Sequence, residues 1–275
     1  MLTPLTFSAL VIIGILAVIL FKYYKNKQYN SAVNADLPTE YKKLLNKRLP
    51  VYQYLPEALK QQLHQQILRF LYTKHFIGCN GLIITDEIQV VIAAEACLLI
   101  LNRPNSGYAG LKWIYVYPSV FVAKQAQKNE YGLVSQQKRH LLGESWQNGK
   151  VILAWDSVES GMSNFHDGNN VVLHEFAHQL DQESGQANGA PLLYTKDAYR
   201  IWSQVFSQEF NTLQQQLSTG HQSIIDSYGA TNPAEFFAVV TELFFEQPLK
   251  LQKKHAQLFQ LLKDYYQLDP SEWQS

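Results

Sequence analysis

The stretch Val171–Asp181, VVLHEFAHQLD, constrains this chain more than any other. It holds His174-Glu175-Phe176-Ala177-His178, a complete H-E-x-x-H. On an α-helix, residues four apart stand on one face. His174 and His178 then point the same way, with imidazoles close enough to share one metal ion. Glu175 sits beside that face, where a carboxylate reaches a metal-bound water. Two His ligands with a Glu general base are the zinc-protease arrangement.

The flanks predict a helix. Asp167, Gly168, Asn169 and Asn170 precede the motif and offer N-cap chemistry. Val171, Val172, Leu173, Phe176, Ala177 and Leu180 are apolar, so the helix is buried on most sides. Buried polar groups without partners are costly. A metal gives two His, a Glu and an Asp a reason to be there. The plain alternative is chance, since a pattern with three set positions also occurs in non-enzymes.

A catalytic zinc takes three protein ligands and keeps one position open. No H-E-x-x-H-x-x-G-x-x-H continuation follows, which excludes the three-His pattern. His221, Asp226, Glu235, Glu242 and Glu246 are the downstream candidates. Asn232-Pro233-Ala234-Glu235 opens a helix that continues FFAVVTELFFEQP, with Asn232 at the N-cap and Pro233 at its first position. Glu235 then stands at N3, where a capping box would also use it. Glu242, two turns on along the same face, is either the ligand, a partner of a ligand or a solvated Glu. Tyr228 is either core or a hydroxyl that stabilises a tetrahedral oxyanion. Asp181 shares a face with both His residues, so it either orients an imidazole or is solvated or capping.

Upstream, Leu55–Phe76 has helical spacing and ends at Gly78 and Gly81. Asp86 caps a second, buried helix over Glu87–Leu101, followed by a loop at 102–107. Trp113–Val122 and Val151–Trp155 are strand-like, with a turn around Gly143–Trp146 between them. The second strand is either an ordinary sheet strand or an edge that pairs with an extended peptide. Gln182–Pro191 is a loop near the site, and Asp197–Leu217 a long amphipathic helix ended by Gly220.

Taken together, HEFAHQLD, the Tyr228–Glu235 spacing, PAEFFAVVTELFF, GCNGLIITDEIQVVIAAEACLLILN and VYPSVFV resemble the Mlc titration factor A family of bacterial zinc peptidases. The resemblance covers roughly residues 50–270. It implies that His174, His178 and Glu235 are the zinc ligands, that Glu175 is the general base and that Tyr228 assists the transition state. It implies no ligand role for Asp181. The metal-site pattern is also similar to that of the catalytic domain of anthrax lethal factor. Family members are reported to cleave small aminopeptidase substrates, and one binds a repressor of sugar uptake.

The N-terminus departs from that family's best-known member, which is soluble and cytosolic. Residues 1–21 carry no charged side chain, and Leu5–Phe21 is nearly unbroken apolar. As a helix, 21 residues span roughly 30 Å, about one hydrocarbon core. Tyr23 and Tyr24 lie among Lys22, Lys25 and Lys27, as at a membrane boundary with its positive side in the cytoplasm. Neither a basic n-region nor a small-residue cleavage site marks a signal peptide.

The 275 residues are 47% hydrophobic, enough for a sizeable core. Lys+Arg and Asp+Glu balance at 23 each, so no global charge calls for nucleic acid. Cys79 and Cys97 are too few for a disulfide framework. The expectation is an α+β, mostly α-helical, zincin-type metallopeptidase with a small β-sheet and one N-terminal transmembrane helix. Its parts are an anchor over 1–25, a linker over 26–45 and a Zn2+ peptidase domain over 46–275. It would sit in the bacterial inner membrane, single-pass, with its catalytic domain in the cytoplasm. It would cleave peptide or protein substrates, aminopeptidase-like, by Glu-assisted attack of a zinc-bound water. The alternative is a metal-stabilised protein that sequesters a transcriptional repressor of sugar uptake.

Overall fold

The computed structural model describes residues 4–103, 107–119 and 149–273, with side chains described from residue 12 onward. The fold is mostly helical, with one small sheet. Strands β1 (His75–Gly78), β2 (Trp113–Tyr117) and β3 (Lys150–Ala154) lie in that order and pair in parallel. Ile114 stands opposite Val151 and Val116 opposite Leu153, and all four are fully buried. Trp113 and Tyr115, at the alternate positions, are exposed or half-buried, as the period of two requires.

Parallel strands need a crossover. Helix α4 (Asp86–Leu98) lies in the connection between β1 and β2, and it is apolar nearly all round. Thr85 caps it through a bond from the Ile88 N–H, not Asp86, which is the first helical residue. Helix α3 (Glu57–Thr73) stops three residues short of the predicted Phe76. The buried Lys74 ammonium donates to the Tyr108 and Leu111 carbonyls at 2.7 and 2.9 Å, and the chain turns extended into β1. Helical spacing could not foresee this, because the partners of His75–Gly78 lie on a strand far along the chain. Likewise Trp155 does not end a strand; it begins helix α5 (Trp155–Ser163). The predicted turn at Gly143–Trp146, and Val120–Val122 of the first predicted strand, lie outside the described residues.

The core is built around α6 (Val171–Gln182) and α8 (Pro233–Glu246), which pack on each other. Phe176 of α6 meets the rings of Tyr108 and Phe70 at 4.9 and 5.7 Å. Phe236 and Phe237 of α8 meet Phe206 and Trp202 of α7 (Lys196–Ser218) at 5.2 and 5.7 Å. Helices α9 (Pro248–Lys254) and α10 (Ala256–Tyr266) close that side, where Tyr266 stacks on Phe244 at 5.5 Å. Burying an aromatic of this kind contributes on the order of 2–3 kcal/mol.

The N-terminal helix α1 (Pro4–Val33) runs straight through the polar stretch expected to be a linker. Tyr29 packs edge-on against Tyr72 of α3 at 5.4 Å, and Val33 and Leu37 are buried. Helix α2 (Thr39–Arg48) follows at once. The predicted transmembrane helix is not found among the described residues, where no helix is long and apolar enough to cross a membrane.

Candidate metal centre

Two Asn caps set the helices that bear the site. The Asn170 side chain accepts from the Val172 and Leu173 N–H groups, both at 3.0 Å, and starts α6. Asn232 accepts from the Glu235 N–H at 3.0 Å, and Pro233 opens α8. Asn232 thus caps α8 as expected, but the Glu235 carboxylate does not turn back into a capping box. It points at α6.

Three side chains converge there. Glu235 Oε2 lies 3.0 Å from His174 Nε2 and 3.3 Å from His178 Nε2, and the two Nε2 atoms are 3.1 Å apart. Among the described residues, His174, His178 and Glu235 form the one group of this kind that could hold an ion. The donor set fits zinc geometrically. Three atoms about 2.0–2.1 Å from one ion, at tetrahedral angles, stand roughly 3.3–3.4 Å from each other. Two imidazoles and a carboxylate also suit zinc better than an all-oxygen cation such as calcium or magnesium.

Glu242 is a partner of His174, not a member of the triangle. Its Oε1 lies 2.7 Å from His174 Nδ1, and its Oε2 accepts from the Asn170 N–H. With the proton held on Nδ1 by this carboxylate, Nε2 is left to the centre of the cluster. The Asn170 amide in turn donates to Glu95 Oε1 at 2.7 Å. Glu246, one turn beyond Glu242, accepts from the Gly168 and Asn169 N–H groups at 2.8 and 3.2 Å. The loop before α6 is therefore tied to α8 by two carboxylates. Only Glu242 and Glu246 were singled out from the sequence. Glu95 leaves a signal, the one charge beyond the first turn of an otherwise apolar helix, whereas Asn170 reads from the sequence as a cap alone.

Asp181 does not orient an imidazole. It is fully buried and accepts from the Gly189 N–H at 2.8 Å, which draws the 183–195 loop back onto α6. The loop must pass close to α8. Gly189 has φ +77, and a Cβ there would stand 2.2 Å from the Pro233 carbonyl oxygen. Beside it a cavity of about 490 Å³ is lined by Tyr199, Phe206, Phe210, Pro233 and Phe236. His221 and Asp226 stay apart from the cluster. His221 Nδ1 lies 2.8 Å from Thr219 Oγ1, and Asp226 caps the short turn Ser227–Ala230 through the Tyr228 N–H. That turn packs on α8 and brings the Tyr228 ring to 6.0 Å from the His174 ring. Glu175 is buried on α6 next to His174.

The electrostatics follow from these partners. Burial opposes a charge on His174, but the Glu242 carboxylate and the bond to Glu235 outweigh it and pull the imidazole up to about 10. Burial holds His178 down at about 4. Burial would raise Glu235, yet hydrogen bonds to both imidazoles keep it well below the usual carboxylate range. The cluster thus keeps a negative carboxylate beside a neutral His178, and a cation bound there would displace the proton that His174 shares with Glu235. Burial also pushes Glu95 and Glu246 up to about 8 and Asp181 up to about 6.

Two outcomes follow. Replacing Glu242 by Gln weakens its hold on His174 Nδ1 and should lower metal affinity about 10–100-fold, read by chelator competition at fixed pH. Glu246 binds its proton more tightly folded, at about 8, than unfolded, at 4.5. Its contribution is therefore full below about 4.5 and lost as pH rises through about 8. Urea unfolding between pH 5 and pH 8 should show that loss in the native chain and a flatter profile in Glu246→Gln.

Comparison with known proteins matches this geometry. The model of the glucose-regulated metallo-peptidase M90 family matches residues 22–267. An uncharacterised protein of Synechocystis sp. is 40% identical over 269 residues, covering 97% of this chain and 98% of its own length. The Mlc titration factor A of Klebsiella pneumoniae strain 342 is 32% identical over 240 residues, 86% of this chain and 88% of its own. That of Pectobacterium atrosepticum is 31% identical over 225 residues, 81% and 84% of the two lengths. The matched span includes both helices that bear the cluster, and this chain belongs to the M90 metallopeptidase family, together with the Mlc titration factor A proteins.

Proposed function

We propose that this chain is a zinc-dependent peptidase with aminopeptidase-like activity. His174, His178 and Glu235 are its metal ligands, and Glu175 and Tyr228 its catalytic groups. The observation that carries this reading is the triangle of two Nε2 atoms and one Oε2 atom at 3.0–3.3 Å, on a helix that places Glu175 next to the first ligand. Zinc bound there supplies a Lewis acid, with a net charge of about +1 after one carboxylate, that polarises a carbonyl and acidifies water. Glu175 takes the proton of the attacking water and passes it to the leaving amine. Tyr228 donates its hydroxyl to the oxyanion that forms. Glu242 keeps the His174 proton on Nδ1.

The names of the relatives support a second reading, that the chain titrates a transcriptional repressor, with hydrolysis incidental. Glu175→Gln separates the two. In the peptidase reading the variant keeps its zinc, by elemental analysis, and loses roughly 10²–10⁴-fold in turnover of amino-acid nitroanilides and peptides. His174→Ala, His178→Ala or Glu235→Ala lose zinc as well. Undiminished turnover in Glu175→Gln would remove Glu175 from the mechanism. Zinc without Glu175-dependent turnover, together with capture of a repressor, would favour the second reading.

The N-terminal run supports a membrane tether with the peptidase domain on the cytoplasmic side. Ile12, Ile13, Ile15, Leu16, Leu20 and Phe21 are all more than half exposed on α1, and the lysines follow. The full chain should sediment with membranes and be released by detergent but not by salt. A chain lacking residues 1–27 should stay in the supernatant. Sedimentation of both forms alike would remove the tether.

A further inference from the structure

We infer that the chain has a second binding site, for a carboxylate carried on a small apolar body, between the loop at 192–195, α7 and the end of α10. A cavity of about 250 Å³ lies there, with Leu192, Ala198, Ile201 and Leu261 in its wall. Leu192, Tyr194 and Ile201 stay open to solvent around it although they are large and apolar. Such a volume falls below the roughly 300–1,000 Å³ of drug-sized sites and suits a fragment.

The polar end of the cavity is Arg103 and Tyr265. The Arg103 side chain is only 5% exposed. Its guanidinium stacks over the Tyr265 ring at 4.3 Å. Among the described residues, neither Arg103 Nη1 nor the buried Tyr265 hydroxyl has a hydrogen-bond partner. The carboxylate paired with Arg103 is Glu183, whose Oε2 stands 3.9 Å from Nη2 and leaves Nη1 unserved. Asp264 lies at the exposed rim, and its Oδ1 already accepts from Gln260 at 2.8 Å.

A buried donor left unmade is costly. Water could meet Nη1 but would gain nothing from the apolar wall. A ligand with an acceptor at one end and an apolar body satisfies both. A carboxylate suits the guanidinium best, because charge-assisted bonds are about twice as strong as neutral ones and the fork takes two oxygens. The carboxylate can come from a free organic acid or from the C-terminus of a peptide ending in an apolar residue. None of the residues that line the cavity belongs to the metal cluster.

Calorimetric titration of the full chain tests it, with 3-phenylpropanoate, its primary amide and N-acetyl-Ala-Leu as probes. One-to-one binding of the acid should be at least tenfold tighter than that of the amide. It should fall at least tenfold in Arg103→Gln and in Ala198→Trp. The second variant fills the cavity and leaves Arg103 in place, so a folding fault in the first does not decide the result. If the dipeptide binds as the acid does, the site admits chain termini; if the acid alone binds, the site takes free acids. Both outcomes uphold the carboxylate. Equal binding of acid and amide, full binding by Ala198→Trp, or no binding of any probe would overturn the site.

Discussion

The bond between His174 on α6 and Glu242 on α8 is the interaction on which the rest depends. The interface between the two helices is buried, and it contains charges. Glu175, His178, Asp181, Glu235, Glu242 and Glu246 are all buried in or near it. Each such group must find a partner or lose its charge. Glu242 is engaged at both ends, since one oxygen serves the His174 imidazole and the other the Asn170 N–H of the helix cap. The cluster in front of His174 follows from that. With Nδ1 engaged, Nε2 turns toward His178 and Glu235.

The carboxylates left without a cation differ in how burial treats them. Glu235 has two imidazoles and stays ionised. Glu246 and Glu95 have only neutral amide donors close by, so burial pushes both up to about 8. Charge is thus kept on α8 beside the imidazoles and withdrawn from Glu246 at the helix end and from Glu95 on α4. An ion arriving at the triangle meets a negative carboxylate held in a low-dielectric setting, where it attracts most strongly.

Rigidity comes from where these groups stand. Both His residues and both key Glu residues belong to helices capped by Asn and wedged among aromatic rings. A site on packed helices keeps its geometry better than one on loops. The loop at 183–195 is the mobile kind of element by sequence, yet Asp181 and Gly189 tie it to the same two helices. Trp202 completes the tie by donating to the Gly189 carbonyl at 2.9 Å.

How much of this could be read in advance depends on the range of the interaction. The ligand helix, its Asn cap, the opening of α8 at Asn232-Pro233 and the long helix α7 were legible, because spacing and capping act within a few residues. His174 and His178 needed only the period of a helix to be paired. Glu235 stood open between ligand and capping box until the resemblance favoured one, and its carboxylate in fact faces the imidazoles across 61 residues of chain. Glu242, Asp181 and Glu95 could not be assigned at all, since their partners lie eight to 75 positions away. Strand β1 was hidden for the same reason: four residues become a strand only where another strand meets them. The sequence by itself determined which side chains could bind a cation and which helices carry them. Only the tertiary structure decided which carboxylate faces the imidazoles and which holds one of them in place, because desolvation and hydrogen bonding act between elements brought together by packing.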